Sequence, residues 1–118
     1  MVLNHFTPVR VQQSESKQID ALINAKCINS IVPPAGTQAG QSIINLDGNR
    51  TKLAAVAPMK VLAGMFPYLT PVRLYEVAGG SAEANALVNF DRVVQAYDLG
   101  TFVTLSFLDG SELKVFNA

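Results

Sequence analysis

The sequence predicts an α+β, β-rich fold made of two tandem-duplicated, four-stranded antiparallel β modules. The modules are expected to be related by a pseudo-twofold and joined by one short helix. The first observation behind this is repetition: three short motifs occur twice, in the same order and about 63 residues apart. They are TPVR at 7–10 and 70–73, ALIN or ALVN at 21–24 and 86–89, and LDG at 46–48 and 108–110. The second is a period-two alternation of apolar residues around each LDG motif.

Length and composition favour one compact domain over residues 1–118. A chain of 118 residues with 49% hydrophobic and 15% charged residues is globular rather than disordered. A half of about 60 residues would be only marginally stable alone, so the two copies should share a core. The predicted repeats are residues 1–56 and 69–118, with the linking helix at about 57–66.

Each copy opens with an extended segment, at 6–11 and at 69–77. Pro8 and Pro71 lack an amide hydrogen, which favours edge strands or strand starts. The β-branched runs within 19–32 and 84–98 predict a long strand in each copy, bent near Ala25 and Phe90. Residues 14–24 are predicted to be a loop, because the matching segment contains a Gly pair; a short helix there is the alternative.

The end of the second copy predicts a β-hairpin. Val103, Leu105 and Phe107 alternate with polar residues and are expected to face the core. Asp109 and Gly110 are the preferred pair for a two-residue type I′ turn, where both residues need positive φ. The counterpart in the first copy is the segment 42–53.

A short linking helix is predicted between the copies. Pro58 suits the first helical turn, and Pro67 ends the element. Met59, Leu62 and Phe66 fall on one helical face, which should be buried.

The residue inventory argues against an enzyme. His5 and Cys27 are the sole histidine and cysteine, too few for a four-ligand zinc site, and no signature for a catalytic triad surrounds them. The sequence carries no glycine-rich phosphate loop. We therefore expect no catalytic residues, no metal site and no cofactor. Without a membrane-length apolar run or a signal peptide, the expected location is the cytoplasm, or a virion if the source is a phage.

Charge is unevenly distributed although the net charge is zero. Residues 1–63 carry six basic and three acidic residues, and residues 64–118 carry three basic and six acidic residues. Such opposite charges favour head-to-tail contact between copies. The main functional prediction is accordingly a non-catalytic binding or assembly protein that acts as a homo-oligomer or with another protein, such as a bacteriophage virion or accessory protein. The predicted interface residues are Arg50, Lys52, Glu112, Pro33 and Pro34.

The alternative prediction is a single-stranded nucleic-acid-binding protein that uses twisted β-sheets. Such a site needs basic groups with stacking aromatic rings. The candidates are Arg10, Arg50, Lys52, Arg73 and Tyr75, with Phe6, Tyr68 and Phe102 as further rings. In element order, the repeated layout of four strands and a helix is similar to the Whirly and PUR families, which implies single-strand binding. The segment LVNFD at 87–91 resembles the strand that precedes a hairpin in β modules of the LytTR type.

Overall fold

The computed structural model describes residues 5–34, 40–48, 52–75 and 85–117. Within these ranges the chain forms ten strands, one α-helix and two 3₁₀ turns, and every strand pair is antiparallel. The strands are β1 Thr7–Ser14, β2 Lys17–Ile23, β3 Ile28–Val32, β4 Ser42–Leu46, β5 Lys52–Ala55, β6 Thr70–Val72, β7 Ala86–Val88, β8 Val93–Asp98, β9 Phe102–Phe107 and β10 Glu112–Phe116. Helix α1 spans Met59–Met65, and the 3₁₀ turns span Ala25–Cys27 and Phe90–Arg92. The predicted β-rich α+β class is confirmed.

The strands form a seven-stranded sheet in the order β2-β1-β5-β4-β3-β7-β6 and a three-stranded sheet in the order β10-β9-β8. An isolated bridge between Leu74 and Val115 connects the chain just after β6 to β10. When that bridge is counted, the strands of the first half are adjacent in the order β2-β1-β5-β4-β3. The strands of the second half are adjacent in the order β7-β6-β10-β9-β8. The second half therefore repeats the pairing order of the first.

This order corrects the predicted module. Each half contributes five strands rather than four, and β6 and β7 of the second half complete the sheet of the first half. The predicted bends are 3₁₀ turns, each of which ends one strand and starts another that has different partners. Descent of the two halves from one duplicated segment stays a prediction.

Residues 14–24 are neither a loop nor a helix. Most of the segment is strand β2, which pairs with β1 from Thr7 opposite Ile23 to Gln12 opposite Gln18. Ile19 and Ala21 pack against the buried core while Gln18 and Asp20 stay exposed, which is the alternation of a half-buried strand. Pairing with β1 thus outweighs the local helix propensity, and the comparison with the matching segment did not predict this strand.

The β9–β10 hairpin forms as predicted, with a different turn. The Phe107 N–H donates to the Ser111 carbonyl at 2.8 Å, so three residues rather than two lie in the loop. The Gly110 N–H donates to the Phe107 carbonyl at 2.9 Å, and Gly110 has a φ of +88°. This is the three-residue loop in which glycine takes the left-handed position.

Two hydrophobic cores meet at β7. In the first, Leu62 and Phe66 at α1 pack with residues of β1 to β5 and with Leu87. The second contains Val88 and residues of the three-stranded sheet, including Phe107, which is 4% exposed as predicted. Because successive side chains of a strand point to opposite faces, β7 belongs to both cores. No helix in the described ranges is long and apolar enough to cross a membrane.

Candidate functional site

The outer face of the three-stranded sheet carries a cluster of aromatic and basic side chains. In the register of β9 and β10, Leu113 and Val115 pack into the second core, so the alternate residues point outward. Tyr97 of β8 lies opposite Thr104 on this same face. We call this cluster the cation–aromatic surface; its members are Arg73, Tyr75, Tyr97, Phe102, Lys114 and Phe116.

Three rings of the surface are in direct contact. Tyr75 and Phe102 are stacked, with ring centroids 4.4 Å apart and an angle of 14° between the planes. Phe116 meets Tyr75 edge-on at 5.0 Å. All three residues lie outside the two hydrophobic cores and are only half-buried. The sheet therefore presents a ready-made aromatic platform to solvent.

Two cations border this platform. The guanidinium carbon of Arg73 lies 4.0 Å from the centroid of Phe116, and the Lys114 ammonium lies 5.6 Å from that of Phe102. Both distances are in the range of cation–π attraction. Phosphate groups and stacking bases could therefore be contacted within one small area.

Backbone pairing fixes the geometry of the surface. The Phe116 N–H donates to the Arg73 carbonyl at 2.9 Å, and the Tyr75 N–H donates to the Lys114 carbonyl at 3.1 Å. Between them Leu74 turns inward against the second core. Residues 73–75 thus run beside β10 as a short extended segment, joined to it by one bridge, that presents Arg73 and Tyr75 outward.

A second candidate site is a cleft of about 560 Å³ between the two sheets, lined by both polar and apolar side chains. Lys52 of β5 and Glu112 of β10 both line it. Asn29, a bulged residue of β3 that is 2% exposed, also lines it, and its Oδ1 has no hydrogen-bond partner among the described residues. The cleft thus brings together opposite charges from the two halves of the chain.

Asp109 holds one side of this cleft. Its Oδ2 accepts from the Asn29 amide at 2.9 Å and from the Gly48 N–H at 3.0 Å. Its Oδ1 accepts from the Ser111 N–H at 2.9 Å and from the Ser111 hydroxyl at 2.6 Å. Partial burial acts to raise the pKa of Asp109, but these hydrogen bonds outweigh it and lower the pKa below the usual value.

Three further contacts hold the two halves together. Arg92 forms a half-buried salt bridge with Asp47. The Asn89 N–H and side-chain amide donate to the carbonyls of Asn29 and Ile28, both at 2.9 Å. The junction between the two halves is therefore held by charged and amide groups as well as by the shared β7.

The structure distributes the predicted interface residues unevenly. Lys52 and Glu112 share the cleft, within one chain. Pro33 and Pro34 follow β3 and are half-buried, and the rest of the predicted loop up to residue 39 lies outside the described residues. Arg50 also lies outside the described residues.

The predicted nucleic-acid candidates are separated as well. Arg73 and Tyr75 lie together on the cation–aromatic surface with Phe102. Arg10 lies on β1 and is paired with Asp20 at 3.2 Å, both being well exposed.

The remaining predicted rings do not join that surface. Tyr68 donates its hydroxyl to the Ala25 carbonyl and meets Phe66 edge-on, so it supports the first core. Phe6 precedes β1 and is half-buried.

Three members of the surface were missed from the sequence: Tyr97, Lys114 and Phe116. Alternation along β10 already puts Lys114 and Phe116 on one face, and that signal was available. The position of Tyr97 required the bulged register between β8 and β9, with its shift between Val93 and Gln95, which composition does not reveal.

The described residues define a small β-rich domain of antiparallel strands with one α-helix. A matching solved structure is the LytTr DNA-binding domain of a response regulator from Bacillus cereus, with a TM-score of 0.60 and 10% sequence identity. The match covers 93% of this chain and 86% of that chain, so the likeness concerns the whole fold. No protein-family model matches the sequence, and the search of curated proteins found no significant relative.

This likeness corrects the main functional prediction. The prediction of an assembly protein, such as a bacteriophage virion or accessory protein, is wrong, because the fold is shared with a DNA-binding domain of a regulator. The alternative prediction, nucleic-acid binding, agrees better with this fold.

Proposed function

We propose that this chain is a nucleic-acid-binding domain, acting by binding rather than catalysis. The observation that carries the proposal is the cation–aromatic surface, where stacked rings and two cations lie side by side on one sheet face. The likeness in fold between this chain and a LytTr DNA-binding domain supports the same class of ligand.

The chemistry of the surface favours unpaired bases. Aromatic rings stack on bases of any sequence, and each stacked base contributes about 1–3 kcal/mol. Arg73 and Lys114 are placed to contact the phosphates on either side of a stacked base. A duplex hides its base faces, so it could use only the two cations. We therefore propose single strands as the preferred ligand.

The test is fluorescence anisotropy with labelled oligo-dT at low salt, compared between the parent protein and Phe102→Leu. Losing one stacking ring should weaken binding by roughly 5- to 150-fold, the equivalent of one stacked base. Phe90→Leu is the matched control: Phe90 is 46% exposed but lies on the second 3₁₀ turn, outside the surface. This control should bind like the parent.

Two outcomes would contradict the proposal. Binding that does not weaken with added salt would rule out phosphate contacts, since counterion release makes such contacts salt-dependent. Equal losses in Phe102→Leu and Phe90→Leu would move the site away from this surface. Tighter binding to a duplex of the same length would retain nucleic-acid binding and reject the preference for single strands.

A further inference from the structure

Strand β8 ends the three-stranded sheet with an open edge. It pairs with β9 on one side, and none of the described strands pairs with its other side. Its side chains from Val94 to Asp98 are exposed, and Val94 is 62% exposed. An unpaired strand edge of this kind, on which Val94 is exposed, is a template for another strand.

The equivalent strand of the first half shows how such an edge is covered. Strand β3 occupies the same place in its half as β8 does, and its free side is covered by β7. Ser30 lies opposite Val88, and Ile31 lies opposite Leu87. Asn89, directly after β7, then donates two hydrogen bonds to β3 carbonyls.

The details of β3 and β8 match at the level of single residues. Both follow a 3₁₀ turn whose preceding Asn accepts from a backbone N–H at 3.1 Å. Both carry a bulge at the same point, between Ile28 and Ser30 in β3 and between Val93 and Gln95 in β8. A strand that fits β3 should therefore also fit β8.

Strand β2 ends in nearly the same four-residue motif as β7, the strand that covers β3. The sequence ALVN spans β7 and Asn89, and ALIN ends β2 and continues into Asn24. Strand β2 lies at the far end of the seven-stranded sheet and pairs with β1; its other side meets no described strand. Leu22 on this strand is 49% exposed, and Asn24 is exposed too.

We propose that two copies of this chain associate head to tail, with β2 of one copy pairing antiparallel with β8 of the other. Transferring the β3–β7 register puts Ala96 opposite Leu22 of the second copy, and Gln95 opposite Ile23. Asn24 of the second copy then donates to carbonyls of Val93 and Val94, as Asn89 does within the chain.

Charge supports this arrangement. The half that offers β2 carries six basic and three acidic residues, whereas the half that offers β8 carries three basic and six acidic. The contact joins different surfaces of the two copies, so repetition gives a ring or an open chain. The inference goes beyond nucleic-acid binding and does not depend on it.

The sharpest test is disulfide trapping in a Cys27→Ala background. Leu22→Cys protein and Ala96→Cys protein are mixed under mild oxidation. Directly opposed antiparallel residues have Cα atoms about 4.5–5.5 Å apart, within the range that a disulfide needs. The mixed 22–96 dimer should form at least ~10-fold faster than the dimer of Ala96→Cys with Val61→Cys, because only the former pair is opposed. Val61 on α1 matches Leu22 in exposure, at 49% each.

Sedimentation equilibrium of the uncrosslinked protein gives a second readout. Leu22→Lys places a charge in the proposed pairing edge and should raise the dissociation constant by roughly tenfold or more. Val61→Lys is the matched control and should associate like the parent. Circular dichroism shows whether each variant is folded before association is compared.

The outcomes separate clearly. A parent protein that stays monomeric at several hundred micromolar overturns the inference. Equal trapping of the 22–96 and 61–96 pairs overturns it as well. Preferred trapping of Ala96→Cys with itself would show a symmetric β8–β8 contact and would reject the head-to-tail arrangement. Nucleic-acid binding by a strict monomer would refute the association alone.

Discussion

At the scale of single residues, Asp109 shows how much a turn residue can do beyond its own turn. The LDG repeat predicts an Asp that shapes a hairpin, and its bonds with Ser111 do this. The same carboxylate also reaches Asn29 and Gly48 in the other half of the chain. A local motif thus supplies a long-range contact that the sequence alone did not predict.

The lowered pKa of Asp109 predicts a pH-dependent contribution to stability. A carboxyl with a lowered folded-state pKa stabilises the fold fully above its unfolded pKa of about 3.8, and the contribution disappears as pH falls through the folded value. At pH 7, Asp109→Asn should lower the free energy of unfolding by about 1 kcal/mol, a small value for a charged hydrogen bond because solvent screens this exposed group. Urea unfolding at pH 7 and near pH 3 measures it.

The difference between Asp109→Asn and the parent should shrink at the acidic end. Glu15→Gln, in the exposed turn between β1 and β2, is the control for general loss of negative charge. A difference that stays constant, or grows on acidification, would show that the carboxylate bonds do not stabilise the fold.

At the scale of elements, the glycine that closes the β9–β10 hairpin is constrained by its backbone. Gly110 has a φ of +88°, where any side chain is strained, although no atom of the described part of the chain lies within 4 Å of a Cβ placed there. Gly110→Val should lower the free energy of unfolding by about 1–3 kcal/mol through backbone strain alone. Chemical denaturation followed by circular dichroism measures the change.

Gly64 offers the opposite case on helix α1. A Cβ added to Gly64 would meet equally open space, and its backbone is ordinary helix. Gly64→Ala should therefore stabilise the protein by up to about 1 kcal/mol.

For the hairpin glycine, the contradicting outcome is a Gly110→Val variant that melts like the parent. In that case the left-handed turn is not required for folding.

The elements that sequence patterns predict well are those with enough length to show a period. Strands β9 and β10 alternate over five or six residues, and α1 presents Leu62 and Phe66 on one face, so both were predicted. Strands β6 and β7 have three residues each, too few for a period, and their place in the sheet depends on distant partners. The cation–aromatic surface was predicted only in part for the same reason. Arg73 and Tyr75 were predicted from residue type, but placing their neighbours on the same face requires the strand register.

At the scale of the whole molecule, the two halves depend on each other. Leu87 of the second half belongs to the first core, and β7 covers the buried strand β3. Residues 1–66 alone would leave that core incomplete and the β3 edge exposed. The half-chain is also small enough to be marginal on general grounds.

Separated halves should therefore fold only together. A fragment of residues 1–66 is expected to show no cooperative thermal transition, and adding residues 67–118 should restore one, because β7 then completes the sheet. Circular dichroism melts of each fragment and of their mixture test this. A cooperative transition in the first fragment alone would mean that its five strands suffice.

The stacked pair of Tyr75 and Phe102 makes the native chain its own spectroscopic reporter. The sequence has three tyrosines and no tryptophan, so phenol groups dominate its near-ultraviolet absorption. Tyr68 packs edge-on against Phe66 near the first core, whereas Tyr75 and Tyr97 both lie on the cation–aromatic surface. Of these two, Tyr75 is in direct contact with the rings of Phe102 and Phe116. A molecule that binds on that face should change the near-ultraviolet circular dichroism of these two phenols, and occupancy could be followed with no dye attached.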